Sequence, residues 1–156
     1  MQLQLNLYTK KLSYILMKEP IGRKMDKIGK LFQAKLQGNL KQLDIDRSFY
    51  PLILIEKGNG ITQQELASQL LCDKVQVVRI IDYLSSNGYV ERIQNQTDKR
   101  KYELAITEKA RLVLPDIKKA MNDTTLVALS GLSVKQTEQL YNMLSVIELN
   151  LLADKK

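Results

Sequence analysis

One segment of the chain, residues 62–107, has the sequence TQQELASQLLCDKVQVVRIIDYLSSNGYVERIQNQTDKRKYELAIT. Its first half predicts two short helices, because Thr62 and Glu65 have the spacing of a capping box and apolar residues then recur at helical intervals. A break at Leu71-Cys72-Asp73 separates the two helices, and Asn87-Gly88 ends the second. Two short helices joined by a tight turn are a helix-turn-helix candidate.

The hydrophobic period changes after Gly88. Residues 89–93 and 101–106 are rich in β-formers, whereas residues 94–100 between them contain no apolar side chain. This pattern predicts a β-hairpin with a polar tip. Residues 92–101 hold four cations and one anion, a net charge of +3. A helix-turn-helix followed by such a hairpin predicts a winged helix, in which one helix fits the major groove of DNA and the hairpin reaches an adjacent groove.

Helices with apolar stripes are predicted on both sides of this segment. Pro20 can open a long first helix, and its stripe is Ile21, Met25, Ile28, Phe32, Leu36 and Leu43. Thr107 can cap a helix running toward Leu129, and Ser133 with Gln136 forms a second capping box. The last helix that follows carries Leu140, Leu144, Ile147 and Leu151. These stripes exceed what one small winged domain can cover, so we expect burial against a second chain, with packing inside one chain as the alternative.

The predicted fold class is mainly α with a small β-hairpin wing, an α+β winged helix-turn-helix with six main helices. The N- and C-terminal helices form a dimerisation region. The predicted divisions are an N-terminal extension (1–19), a first dimerisation helix (20–45), the winged helix-turn-helix (46–107) and C-terminal dimerisation helices (108–156). We expect them to form one compact unit overall.

The amino-acid composition argues against several classes of protein. The 156 residues are 44% hydrophobic and 26% charged, as in ordinary soluble globular proteins. No apolar run is long enough for a membrane span and no secretory signal is recognisable, so we expect a cytoplasmic protein that does not contact a membrane. The chain has no His and one Cys, which removes the usual zinc ligands and the commonest general base. With no phosphate-binding loop motif either, the sequence predicts neither an enzyme nor a bound cofactor or metal.

The charge balance points to an anionic partner without locating it. The net charge is +7 and the pI is about 9.4. Residues 1–43 hold nine Lys or Arg and two Asp or Glu, whereas residues 44–156 hold fifteen of each. The whole surplus therefore lies in the first third of the chain, and the role of this basic third stays open.

The predicted DNA-reading residues lie in three groups. Outward positions at the start of the second short helix are Lys74, Val75, Gln76, Val78 and Arg79, while Val77, Ile81 and Leu84 should face inward. Gln76 suits an adenine edge, the valines suit a thymine methyl, and the two cations suit phosphates. The start of the preceding helix adds Thr62, Gln63 and Gln64. The alternative for this helix is a solvated face with two ordinary cations.

The third group is the wing, with Arg92, Asn95, Gln96, Thr97, Asp98, Lys99, Arg100 and Lys101. Arg100 suits insertion into a minor groove, whose negative potential attracts guanidinium groups. Asp98 can hold Arg100 extended through a charge-assisted hydrogen bond. The alternative is a solubilising loop tip with a local ion pair.

These motifs together resemble the MarR family of bacterial transcriptional regulators. The resemblance rests on 62–67, 73–84, 87–92, 98–100 and 104–108, with Pro20-Ile21-Gly22-Arg23 similar to the start of the family's first helix. It implies a homodimer with interlocked terminal helices, binding to a pseudo-palindromic operator, and repression controlled by small phenolic or otherwise amphipathic compounds. Two departures are Val75 and Val78, where the family often has Ser or Thr, and Ala110, where a Gly is common.

The sequence thus predicts a ligand-responsive transcriptional regulator, a repressor that binds double-stranded DNA as a homodimer. The alternative is a winged-helix module for protein–protein interaction or dimerisation without sequence-specific DNA binding. The effector's binding residues are not identifiable from the sequence. Cys72, in the turn before the reading helix, is interpreted as a small buried hydrophobe, with redox sensing as the alternative.

Overall fold

A computed structural model of the protein describes residues 19–43, 45 and 49–153. Within these residues there are six helices and one antiparallel hairpin. The elements in chain order are α1 Ile21–Asn39, α2 Phe49–Gly58, α3 Gln63–Leu70, α4 Lys74–Ser86, β1 Val90–Gln94, β2 Tyr102–Ile106, α5 Glu108–Ala128 and α6 Val134–Ala153. This order confirms the predicted winged helix-turn-helix fold class. The predicted N-terminal extension lies outside the described residues except for Glu19.

The chain divides into two compact units, and the division falls after Ala120. Elements α1 to β2 lie in the first unit, α6 lies in the second, and α5 contributes to both. The domain boundaries predicted from the sequence stay predictions. None of the described helices has the length and apolar character that crossing a membrane requires.

The helix-turn-helix is formed by local signals that the sequence carries. Thr62 Oγ1 accepts a hydrogen bond from the backbone N–H of Glu65, whose carboxylate accepts one from the backbone N–H of Thr62, so the predicted capping box is confirmed. Leu71 ends α3 in the left-handed conformation, with φ 50° and ψ 36°. Asp73 then caps α4 through a 2.8 Å hydrogen bond from the N–H of Gln76 to its Oδ1.

The wing is a regular hairpin, and its second strand is hydrogen-bonded to the chain at Ile61 and Thr62. β1 pairs with β2 in antiparallel register, with Val90 opposite Ile106. The backbone N–H of Leu104 donates to the carbonyl of Ile61 at 2.9 Å, and Thr62 forms a β-bridge with Glu103. The start of α3 is therefore hydrogen-bonded to the second wing strand.

The core of the first unit lies between the helices and the hairpin. Its fully buried side chains include the predicted inward residues Val77, Ile81 and Leu84, together with Leu52, Ile55, Leu66, Leu104, Leu114 and Ile117. Each such side chain contributes about 1.5–3 kcal/mol to folding relative to an exposed one. This burial fixes which face of α4 is left for solvent or a partner.

The predicted length of the first helix was wrong. We expected its apolar stripe to reach Leu43, but α1 ends at Asn39. Gly38 and Asn39 are poor helix formers, and the turn after them places Leu40 in the core with 2% of its surface exposed, whereas Leu43 is half-buried. The stripe continued at the expected spacing only as far as Leu36, which is buried.

Candidate nucleic-acid interface

The start of α4 presents most of its predicted reading residues to solvent. Lys74, Val75, Gln76 and Arg79 are exposed, and Val75 has 60% of its surface accessible. Val78 is half-buried, so its predicted outward position is only partly realised. It directly follows the core residue Val77 and is three residues before Ile81, which brings its side chain toward the edge of the buried face.

The three predicted residues at the start of α3 have different environments. Gln64 is exposed, whereas Thr62 and Gln63 are half-buried. The Nε2 atom of Gln63 is enclosed without a hydrogen-bond partner among the residues that the structure describes. The backbone N–H and the hydroxyl of Thr62 both donate to the carboxylate of Glu65, and these bonds lower the pKa of Glu65 below its usual value. Glu65 is therefore held ionised at neutral pH.

Most of the predicted wing side chains are exposed. The exposed ones are Arg92, Gln96, Thr97, Lys99, Arg100 and Lys101, whereas Asn95 and Asp98 are half-buried. The predicted hydrogen bond between Asp98 and Arg100 is present, but it involves the backbone of Arg100 and not its guanidinium group. Asp98 Oδ1 accepts a 3.1 Å hydrogen bond from the backbone N–H of Arg100, and Oδ2 lies 3.7 Å from Lys101 Nζ. Asp98 shapes the turn, so the guanidinium group of Arg100 is left without an ion pair among the described residues.

Arg92 has a partner inside the winged domain. Its Nη2 lies 2.6 Å from Asp82 Oδ1, which joins the first wing strand to α4. The Arg92 side chain is about one third exposed and the Asp82 side chain is 59% exposed. The pair therefore links the wing to the reading helix, and Arg92 is less available to DNA than Lys99 and Arg100, which have no ion pair among the described residues.

Three separate parts of the chain line one open cleft of about 640 Å³. Six of its residues were predicted as interface residues from the sequence: Thr62, Gln63, Gln64, Lys74, Arg100 and Lys101. The other three, which the sequence analysis missed, are Glu65, Ser68 and Tyr102. Ser68 could have been found, because it is one helical turn after Gln64 on the same face of α3. We call this lining the cationic cleft, since three cations outnumber one carboxylate there.

The predicted dimerisation residues are largely accessible in the single chain. Ile21 and Ile28 of α1 are more than half exposed, and Met25 between them is half-buried. No residue of α6 is buried. Among its predicted residues, Leu144 and Leu151 are exposed, whereas Leu140 and Ile147 are half-buried. Further exposed apolar side chains of α6 that the predicted stripe omitted are Val134, Tyr141, Met143, Val146, Leu149 and Leu152.

Two other features complete the chemistry of the described residues. Cys72 is a free thiol and is half-buried rather than fully buried. No three Cys, Asp or Glu side chains in the described part of the chain converge as a metal ion would need. The described residues thus offer one surface suited to contact with a polyanion. It consists of the cationic cleft and the exposed start of α4.

The chain is similar to known transcriptional regulators. The model of the MarR family matches residues 47–102. The transcriptional regulator SlyA has a TM-score of 0.82 at 26% identity, covering 87% of this chain and 96% of that chain. A MarR-family regulator from Listeria monocytogenes complexed with a 26mer DNA has a TM-score of 0.81 at 26% identity, covering 88% and 92%. A mutant MarR from E. coli complexed with operator DNA has a TM-score of 0.75 at 26% identity, covering 81% and 92%. The model of the MarR family therefore matches the winged helix-turn-helix, and over most of its length the chain is similar to solved transcriptional regulators of the MarR type.

Proposed function

We propose that this chain is a ligand-responsive repressor that binds a pseudo-palindromic DNA operator as a homodimer in the bacterial cytoplasm. The observation that carries the proposal is the cationic cleft beside the exposed start of α4. Lys74 at the start of α4 and Arg100 and Lys101 in the hairpin loop line one open cleft. Folding does not explain why these three cations lie close together, because ion pairs at the surface contribute little to stability.

The reading residues have defined roles in this proposal. The start of α4 enters the major groove, where Gln76 hydrogen-bonds an adenine edge and Val75 contacts a thymine methyl. Lys74 and Arg79 neutralise phosphates and set the register of the helix on the duplex. Arg100 at the wing tip enters the minor groove, for which its unpaired and exposed guanidinium is suited.

The homodimer is proposed from the unburied helix α6. Its six exposed side chains outside the predicted stripe add to Leu144 and Leu151, which makes it apolar around much of its circumference. A soluble protein rarely leaves so large an apolar surface in water, and a second copy of the same chain offers a matching surface through two-fold symmetry. Such a dimer presents two reading helices about 34 Å apart, one turn of DNA.

The effector belongs to the same proposal. A small phenolic or otherwise amphipathic compound shifts DNA binding only by its different affinity for two spacings of the wings. Thermal unfolding with a panel of simple phenols tests this point. A binding compound raises the Tm of the protein and weakens its DNA affinity, whereas a panel without any stabilising compound would indicate a constitutive DNA binder.

DNA recognition is tested with a gel shift of the purified protein on the DNA upstream of its own coding region. We expect log K to fall linearly with log salt concentration, and Arg100→Ala to weaken binding several-fold and reduce the salt slope by about 1. Arg111→Ala is the matched control, because this exposed Arg lies on α5 outside the cationic cleft. If the protein does not prefer this DNA to random duplexes at low salt, the interaction-module alternative replaces the proposal.

A further inference from the structure

The side-chain amide of Asn95 is hydrogen-bonded inside the wing through both its oxygen and its nitrogen. Its Oδ1 atom accepts three hydrogen bonds: from the backbone N–H and the hydroxyl of Thr97 at 2.9 and 2.7 Å, and from the N–H of Asp98 at 2.8 Å. Its Nδ2 atom donates to Oε1 of Glu103 across the hairpin. An amide used at both ends has no ready donor–acceptor pair for a base edge, although the sequence had placed Asn95 among the DNA contacts.

Glu103 connects this amide to the chain just before α3. The backbone of Glu103 forms a β-bridge with Thr62, and its half-buried side chain lies against Gly60. Gly60 has φ +103°, and a Cβ atom added there would lie only 2.9 Å from Glu103 Oε2. The positive φ therefore favours glycine at position 60, where an added side chain would also displace the Glu103 carboxylate.

The contacts form a continuous path from the start of α3 to the wing cation that faces DNA in the proposed function. Glu103 holds Asn95, Asn95 holds the N–H of Asp98, and Asp98 holds the N–H of Arg100. Arg100 and Thr62, the two ends of this path, both line the cationic cleft.

We propose that Asn95 and Glu103 are positioning residues, which set the place of Arg100 relative to the start of α3 without contacting DNA. The expected effect of these two residues on DNA affinity rests on the proposed function, whereas their expected effect on the order of the wing does not. The path consists of directional hydrogen bonds. The order of the wing tip should therefore depend on which of residues 95 and 103 donates and which accepts, and not only on the volumes of their side chains.

The test reverses the donor and the acceptor of the hydrogen bond between residues 95 and 103. Asn95→Asp keeps the acceptor that orders the Thr97 and Asp98 amides but removes the donor to Glu103 and sets two carboxylates face to face. Glu103→Gln keeps an acceptor for Asn95 and is expected to behave as wild type. In the double variant Asn95→Asp/Glu103→Gln, the new amide can donate to the new carboxylate, so the contact is restored in reverse.

The first readout uses the protein without DNA. Backbone ¹⁵N relaxation of residues 96–101 measures whether the wing tip is held, and order parameters below about 0.6 mark a flexible segment. We expect such a fall for Asn95→Asp, wild-type values for Glu103→Gln and restored values for the double variant. Wild-type order parameters in Asn95→Asp, or no restoration in the double variant, would overturn the proposal even if the protein never bound DNA.

The second readout is affinity for the upstream DNA. Asn95→Asp is expected to bind several-fold more weakly than wild type, and the double variant should recover wild-type affinity. Gln96→Glu is the control for charge, because it adds the same negative charge at an exposed neighbouring position. If Gln96→Glu weakens binding as much as Asn95→Asp and is equally rescued by Glu103→Gln, charge alone explains the data and the positioning role is wrong. If wild type does not bind at all, the proposed function fails while the relaxation result still decides the positioning role.

Discussion

At the scale of single residues, Leu71 occupies a conformation that suits other residue types. Its φ of 50° places it in the left-handed region, and 66% of its surface is exposed. A leucine there carries the steric cost of its Cβ without burying its side chain, since only Gly, Asn and Asp adopt this conformation readily.

We therefore expect Leu71→Asn to stabilise the protein by about 0.5–1 kcal/mol. Urea denaturation measures the change in the free energy of unfolding. Leu71→Ala is the control, because alanine also removes the exposed apolar side chain but lacks the short polar side chain by which asparagine hydrogen-bonds the local backbone. Equal stabilisation by both variants would assign the effect to the lost apolar surface instead of the backbone.

The residue scale also shows where sequence reasoning succeeds and where it stops. The cap at Thr62 was predicted because it depends on residues three positions apart, whereas the cap at Asp73, which has the same spacing to Gln76, was not predicted. The partners of Arg92 and Asn95 were not predictable, because Asp82 and Glu103 come from other elements and meet them only after folding. Side chains with the right chemistry for DNA were therefore assigned to the interface before their internal partners were known.

At the scale of elements, the start of α3 depends on the charge of Glu65. The hydrogen bonds from Thr62 lower the pKa of Glu65 in the folded protein below its usual value, for which 4.5 is the reference. A carboxyl with a lowered folded-state pKa stabilises the fold above its unfolded-state pKa and loses that contribution as the pH falls through the folded-state value.

This linkage predicts that the free energies of unfolding of wild type and Glu65→Gln differ by an amount that depends on pH. A glutamine keeps the capping hydrogen bond without the charge, so the comparison isolates the ionised form. We expect wild type to be more stable at pH 6 and the difference to close as the pH falls below about 4.5, the reference pKa of Glu65. Denaturation of both proteins between pH 6 and pH 3 measures it, and a difference that stays constant over this range would contradict the account.

Element types were more predictable than element lengths. The sequence indicated each of the elements in 62–107 correctly. In α4 and β2 the buried residues recur at the helical or strand period, whereas β1, in which only Val90 is buried, was recognised by its content of β-formers. The end of α1 was missed, because the spacing of the apolar residues continued past Gly38 while the chain turned to bury Leu40. The cationic cleft was only partly predictable, since it joins α3, α4 and β2 through the fold.

At the scale of the whole molecule, α6 carries the proposed dimer. Leu144→Glu places a carboxylate in the predicted apolar stripe, and we expect it to raise the dissociation constant of the dimer tenfold or more, about 1.4 kcal/mol. Gln69→Glu is the control, because it adds the same charge at an exposed position of α3, outside the helices of the proposed dimer. Sedimentation velocity distinguishes one chain from two. A wild-type monomer, or equal effects of the two variants, would contradict the dimer.

The central claim is that two winged domains, each with its cationic cleft, bind one DNA duplex together. Hydroxyl-radical footprinting of the upstream DNA tests it most directly. The account predicts two symmetry-related protected half-sites with centres about 10 base pairs apart, and both need a several-fold higher protein concentration in Arg100→Ala. A single protected half-site, or uniform protection without a boundary at low salt, would contradict it.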